Sequence, residues 1–296
     1  MPFELAHLSD AHIGPLPKAL KRELISKRIT GFANWAQGRS RTHNMTMLGR
    51  IVADLRAQRP DHIAMTGDIL NLGLSAEFPM AKAWLSTLGS PEHVSFTPGN
   101  HDAYTRDIVP LLHKTFAPWT NDNGHEHAQY PYMRVRGQVA IIGLSTGVPT
   151  APFLATGTLG RRQREALVQL LQKAGRENLF RVILIHHPPY RGAAKPGRHL
   201  TDAAAFEAII AEHGADLILH GHNHRQQVSS IKTPTGMVPV VGVASSSAIP
   251  GSPSHRAAYH IYSIDGEPGA AKITAKARGL LADRNEIGDL GEIKLR

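Results

Sequence analysis

The 296-residue chain is 42% hydrophobic and 19% charged, the balance of a folded protein long enough to enclose a full core. It has no cysteine, which excludes disulfides and thiolate metal ligands, and no run of about 18 apolar residues of the kind a membrane-spanning helix needs. A formal charge of +9 suits an anionic partner such as a phosphate ester, a nucleic acid or an acidic lipid surface.

The opening Met1-Pro2-Phe3-Glu4-Leu5 lacks the basic-then-apolar layout of a secretory leader, so a cytoplasmic location is expected. Residues 3–8 read as a short buried strand that runs into Asp10-x-His12. A basic helical insertion comes next, at about 15–43. Apolar spacing then predicts a helix over 45–57, a strand over 62–66 ending at Gly67-Asp68, and a helix over 76–88 capped by Ser75. A third strand, 93–97, leads into Gly99-Asn100-His101-Asp102. Beyond it the pattern gives a strand at 139–144, a helix at 159–171 and a strand at 180–185 ending at His186. A helix at 203–213 and a strand at 217–219 then lead to Gly221-His222-x-His224.

Alternating strands and helices imply parallel pairing with helices on the faces. After Arg225 the pattern changes to short strands at 227–231, 238–243, 258–264 and 271–275, which predict a second sheet of antiparallel ribbons. No repeat, low-complexity stretch or linker interrupts the chain, so a single domain over 1–296 is expected.

The residues just past each strand carry the chemistry. Five strand ends deliver Asp10, His12, Asp68, Asn100, His186, His222 and His224, and in open α/β sheets the carboxyl ends of strands share the ligand-binding edge. Carboxylate, imidazole and amide oxygen suit hard-to-borderline divalent cations. Seven such groups exceed the needs of one tetrahedral zinc and are enough for two cations sharing a bridge.

In order and approximate spacing, this series resembles the calcineurin-like metallophosphoesterase superfamily, small bacterial phosphodiesterases among them, over residues 1 to about 265. The resemblance implies an α/β fold, a four-layer sandwich of two mixed β-sheets flanked by helices. By motif position it implies that Asp10, His12 and His224 hold a first cation and that Asn100, His186 and His222 hold a second. Asp68 would bridge the two. His186 rather than His187 matches the first residue of the His-x-Pro element, here His186-His187-Pro188. His101 would assist the leaving group, its imidazole oriented by Asp102. The expected chemistry is hydrolysis of a phosphodiester, in preference to a monoester, by a metal-bound hydroxide. An all-N/O donor set suits Mn, Fe, Zn or Ni, and two manganese ions are the expectation.

A competing motif, Gly143-Leu144-Ser145-Thr146-Gly147, matches the Gly-x-Ser-x-Gly nucleophile elbow. An elbow needs a helix directly after it, which Val148-Pro149-Thr150-Ala151-Pro152 does not supply. The remaining histidines mostly read as packing or surface residues, with His220 beside the metal cluster.

The insertion is the most distinctive stretch. Lys18, Lys21, Arg22, Lys27, Arg28, Arg39 and Arg41 oppose only Glu23, so it carries +6 of the chain's +9, interleaved with Leu20, Leu24, Ile25, Ile29, Phe32 and Trp35. A basic-apolar flap of this kind suits an anionic amphiphile or a peripheral contact with the inner membrane face. It resembles the insertions of bacterial relatives acting on phospholipid or lipid-precursor substrates, so a lipid-type phosphodiester is the first expectation. A 3',5'-cyclic nucleotide is the second. No motif for specific nucleic-acid recognition is present. A non-catalytic lipid- or protein-binding module is the alternative of another class.

Overall fold

The computed structural model describes residues 2–37, 42–249, 255–267, 272–282 and 286–295, so Arg39, Arg41 and Ala271 lie outside the described residues. The chain opens with β1 (Phe3–Leu8), a 3-10 turn at Lys21–Leu24 and α1 (Arg28–Gln37). Next comes α2 (Met45–Ala57), started by the Asn44 side chain, which accepts the Met47 amide at 2.9 Å. Its buried stripe of Leu48, Ile51, Val52 and Leu55 is the one the spacing predicts.

β2 (His62–Met65), α3 (Glu77–Leu88), β3 (Val94–Phe96) and α4 (Val109–Phe116) follow. Ser75 does not cap α3, because its amide and hydroxyl both donate to Glu23 Oε1. The Glu77 carboxylate instead accepts the amides of Asn71, Leu72 and Leu74. The third strand begins one residue later than the sequence suggests, since Pro91–His93 form a 3-10 turn.

The middle of the chain gives β4 (Tyr132–Arg136), β5 (Val139–Gly143), α5 (Gly160–Arg176), β6 (Phe180–Leu184), α6 (Ala203–His213) and β7 (Leu217–His220). The end gives β8 (Gln227–Thr233), β9 (Gly236–Gly242), β10 (Ala258–Asp265), β11 (Lys272–Leu280) and β12 (Ile287–Glu292). β4, α4 and β12 escape sequence reading for local reasons. β4 holds a buried Arg134, which donates to the Val94 and Pro91 carbonyls at 2.6 Å. α4 has only eight residues, and β12 is a polar edge strand with two glycines.

Two mixed six-stranded sheets result, in the orders β12-β11-β10-β1-β2-β3 and β4-β5-β6-β7-β9-β8. The C-terminal strands therefore do not make a sheet of their own. The β8–β9 hairpin extends the second sheet beside β7, whereas β10 to β12 pair antiparallel onto β1 in the first.

Period-two alternation builds the layers. On β6, Phe180, Val182 and Leu184 face the other sheet while Ile183 faces helices α5 and α6. On β1, Leu5 lies between the sheets while Ala6 and Leu8 pack beneath α2 and α3. Three apolar cores separate four layers, an α/β sandwich of two mixed sheets flanked by helices.

The insertion is clamped to the body by its own charges. Arg28 is buried and donates to the Leu72 and Gly73 carbonyls at 3.2 and 2.9 Å, and to Asp107 at 3.0 Å. Lys27 lies over the Tyr104 ring at 4.3 Å and donates to Thr150 Oγ1 at 2.9 Å, and burial pushes its pKa down to about 8. Gly31, a weak helix former, is required within α1. A Cβ there would collide with the Tyr104 hydroxyl and stand 2.8 Å from Leu72 Cδ2. Among the described residues, no helix is long and apolar enough to cross a membrane.

Candidate metal centre

The loops after β1, β2, β3, β6 and β7 meet where the two sheets face each other. The first two continue as a backbone ladder, in which the amides of Asp10, His12 and Ile13 donate to the carbonyls of Gly67, Asp68 and Ile69 at 2.9 to 3.0 Å. Five of the eight described non-glycine residues with positive φ lie here: Asp10, His12, Asp68, His222 and His224. Such backbone is costly and persists where the surroundings over-determine it, as at binding sites. Gly221 permits the closest approach, because a Cβ on it would collide with Ser9 Oγ and lie 2.5 Å from Asp10 Oδ2.

The side chains gather in overlapping sets. Single ligand atoms of Asp10, His12 and Asp68 lie within 4.8 Å of one another, as do those of Asp68, His186 and His222. Asp68 belongs to both sets and is 2% exposed. Its Oδ1 accepts the His101 amide at 2.8 Å, and its Oδ2 is 3.2 Å from His186 Nε2 and 4.0 Å from His12 Nε2. His224 Nε2 lies 3.2 Å from Asp10 Oδ1 and 3.3 Å from His12 Nε2.

The far side of each ring is fixed by a carbonyl: His12 Nδ1 by Leu70 at 3.0 Å, His186 Nδ1 by Thr66 at 2.6 Å, and His222 Nε2 by Arg198 at 2.8 Å. A proton held on the carbonyl side leaves a lone pair on the other nitrogen, which is how protein scaffolds orient metal-ligating histidines. His187 offers no such lone pair. Thr146 Oγ1 takes its Nδ1 at 2.7 Å and the Ala155 carbonyl its Nε2 at 3.1 Å.

A buried donor set of this kind suits divalent cations. Asn100 Oδ1 is buried without a hydrogen-bond partner, a costly state for a polar atom, while buried Asp10 Oδ1 and His186 Nε2 have only the 3.2 Å approaches of His224 Nε2 and Asp68 Oδ2. Burial disfavours a proton on His186, yet the Asp68 and Asp10 carboxylates outweigh it and push its pKa up to about 9. Burial raises the Asp68 carboxyl, but the charges of His186 and His101 overcome this and hold it well below the usual carboxylate range. The carboxylates that draw a proton to His186 draw a cation in the same way, and the residues present fit divalent cations.

Of the nine residues singled out in the sequence, six fall into these sets or beside Asp10 through His224. Asn100 is bracketed between the Gly99 amide, which donates to Asp102 at 2.9 Å, and the His101 amide on Asp68. His101 sits at the rim, its ring edge-on to His12 at 5.0 Å and stacked on Tyr104 at 5.6 Å.

Asp102 departs from expectation. Its carboxylate does not orient the His101 ring, whose Nδ1 lies 2.5 Å from the Asn71 carbonyl. It accepts instead the amides of Asp68, Ile69, Leu70 and Gly99 at 2.7 to 3.0 Å. The physical reason is proximity: these orphan loop amides surround the carboxylate, so Asp102 locks the β2 and β3 loops together.

Two features had no place in the sequence reading. Ser245 Oγ donates to the Asp10 carbonyl at 2.7 Å and the Ser246 amide to Ser9 at 3.0 Å, strapping the β1 loop from the far end of the chain. His43 stands 4.5 Å from the His12 ring. The three-serine run directly after an apolar strand was a readable signal for the first; a lone histidine beside a helix cap gave none for the second.

The Gly-x-Ser-x-Gly segment is an irregular exit from β5, with no helix before Gly160, and Gln163 brackets the Ser145 amide and carbonyl at 3.0 and 2.7 Å. A cleft of about 570 Å³ opens beside His222 and His224, lined by Lys195, Arg198, Arg225 and His255. It shares Arg198, His224 and His255 with a second cavity of about 500 Å³ bounded by Thr42, His43, Ala248 and Ile249.

Fold and site together define an α/β sandwich built to hold divalent cations at the joint ends of two sheets. A sequence model of the calcineurin-like phosphoesterases matches residues 3–226, and the chain belongs to that family. Its members are metal-dependent phosphoric ester hydrolases with a binuclear centre. A probable cyclic nucleotide phosphodiesterase from Synechococcus is 26% identical over 178 residues, 59% of this chain and 62% of the relative. Among solved structures, a dimetal phosphatase from Danio rerio superposes with a TM-score of 0.64 at 14% identity, covering 99% of this chain and 100% of that one. A purple acid phosphatase from yellow lupin seeds gives 0.59 at 12% identity, over 98% of this chain and 53% of that one. These likenesses are of fold.

Proposed function

We propose that the protein is a binuclear metal-dependent phosphodiesterase in which Asp10, His12 and His224 hold one cation, Asn100, His186 and His222 the other, and Asp68 bridges them. The observation that carries this reading is the convergence of the Asp10, His12, His186 and His222 ligand atoms on a shared, buried Asp68, beside a buried Asn100 Oδ1 without a partner. Two divalent cations would supply a reactive water near neutral pH and positive charge for the phosphoryl oxygens. The chain's own residues do the rest. The carbonyls of Leu70, Thr66 and Arg198 orient the three imidazoles, and the Asn71 carbonyl accepts the His101 Nδ1 proton, so that the doubly protonated ring can donate from Nε2 to the departing oxygen.

A diester has two arms, and the two cavities that share Arg198, His224 and His255 support the diester reading. Manganese is the proposed metal, tested by reconstituting metal-free protein with each candidate ion in turn. On the loaded protein, bis-p-nitrophenyl phosphate should turn over faster than the mono-ester, and chelation should abolish both reactions. Faster mono-ester turnover would overturn the diesterase reading, and metal binding without turnover of any ester would favour a non-catalytic binding module.

His101→Ala should keep its metals and lose rate by about 100-fold, most for substrates with poor leaving groups. An equal loss across leaving groups of different pKa would exclude a role in leaving-group departure.

A lipid-type diester is the first substrate reading, supported by the apolar side chains that the inward-turned Lys27 and Arg28 leave outside. Ile25 is 85% exposed and Phe153 83%, with Leu20, Ile29, Phe32 and Leu154 also exposed and Lys18, Lys21 and Arg22 among them in sequence. Such surface meets anionic bilayers. Reversing Lys18, Lys21 and Arg22, which leaves the Arg28 clamp intact, should abolish co-sedimentation with anionic liposomes. Failure of the wild-type protein to co-sediment would end this reading. The name of the Synechococcus relative favours a second one, a cyclic nucleotide, and parallel assays on 3',5'-cyclic nucleotides and lipid phosphodiesters decide between them.

A further inference from the structure

We infer that His43, at the exit of the basic insertion, is an additional protein ligand of the first cation, so that the insertion completes the metal centre. The inference rests on the binuclear reading of the site. Ligand atoms of His12, His43 and His224 lie within 4.8 Å of one another. The His43 ring is 4.5 Å from that of His12 and 5.8 Å from that of His224. No other histidine outside the motif series joins such a set among the described residues.

Its placement is built. Residues 42–44 pair with the serine strap: the Asn44 amide donates to the Ser247 carbonyl at 2.8 Å, the Ile249 amide donates to the Thr42 carbonyl at 3.2 Å, and His43 bridges Ala248. His43 Nδ1 lies 2.7 Å from Ser247 Oγ, which is itself 3.4 Å from the Asp10 carbonyl. A hydroxyl that fixes one ring nitrogen orients the imidazole for a cation, the relation already seen between His12 and Leu70.

The consequence is asymmetry. The first cation gains Asp10, His12, His43, His224 and the shared Asp68, one protein ligand more than the second. The second keeps Asn100, His186, His222 and Asp68, with more positions left for the substrate. The first cation is therefore the tighter and the second the exchangeable one.

Titration of metal-free protein with Zn²⁺ by calorimetry, and with Co²⁺ by visible absorption, tests this. The wild-type protein should show a tight and a weaker class. His43→Ala and His43→Gln should each weaken the tight class by about 10- to 100-fold and change the absorption of the first Co²⁺ bound, leaving the weaker class in place. His43→Gln retains a polar group of similar reach, so concordant results from the two variants exclude a folding defect. Unchanged affinities and spectra in both variants overturn the inference and leave the binuclear reading standing. A wild-type protein that takes up no cation overturns both.

Discussion

Replacing Asp68 by alanine is expected to remove both cations together and to lower kcat by at least about three orders of magnitude. Asp68 is the residue common to the two carboxylate–histidine sets, and its two oxygens do different work. Oδ1 accepts the His101 amide and so holds the β3 loop, while Oδ2 stands between His186 at 3.2 Å and His12 at 4.0 Å. Without it each remaining set loses its only shared anion, and His186 keeps no carboxylate within ion-pair distance among the described contacts. Asp68→Asn isolates the charge, since it keeps an oxygen for the His101 amide while giving up the bridge. Metal content by plasma emission, read beside turnover, checks both variants. Full metal content with wild-type turnover in Asp68→Ala would falsify the bridging role.

Asp102→Ala should be the most destabilising single change at the centre, costing about 4 kcal/mol or more of folding free energy, because each buried amide left without an acceptor costs about 1–3 kcal/mol. The carboxylate is fully buried and accepts four backbone amides from two loops. The small cavity created by the truncation cannot rehydrate them all. Asp102→Asn, which retains one acceptor oxygen, should cost less. Denaturant unfolding of the metal-free proteins separates this effect from lost metal binding. An unmoved unfolding midpoint in Asp102→Ala would show that the loops do not depend on this carboxylate.

Both expectations concern residues that stand together in the sequence motifs, yet they differ in how far the sequence could take them. Asp68 was legible as a cluster member from its position after an apolar strand. Asp102 was legible as a buried polar residue at the right place, but its partner was not. A carboxylate beside one candidate imidazole in sequence, with three of its four amide donors more than thirty residues away, gives no local sign of which it serves. The inward turn of Arg28 was hidden for the same reason, since its acceptors Leu72 and Gly73 lie 44 and 45 residues away.

By itself the sequence determined the alternation of strands and helices, the bounds of α2 and α6, and the strand ends that carry Asp, His and Asn. These depend on side-chain period, caps and chain-breaking residues acting within a few turns of the chain. Only the tertiary structure decided that β10 to β12 join β1 while β8 and β9 join β7, and that His12 meets His224 across 212 residues and His43 meets Ser247 across 204. Strand pairing and side-chain encounter at such separations depend on which faces remain to be buried once the layers stack, and no local pattern encodes that.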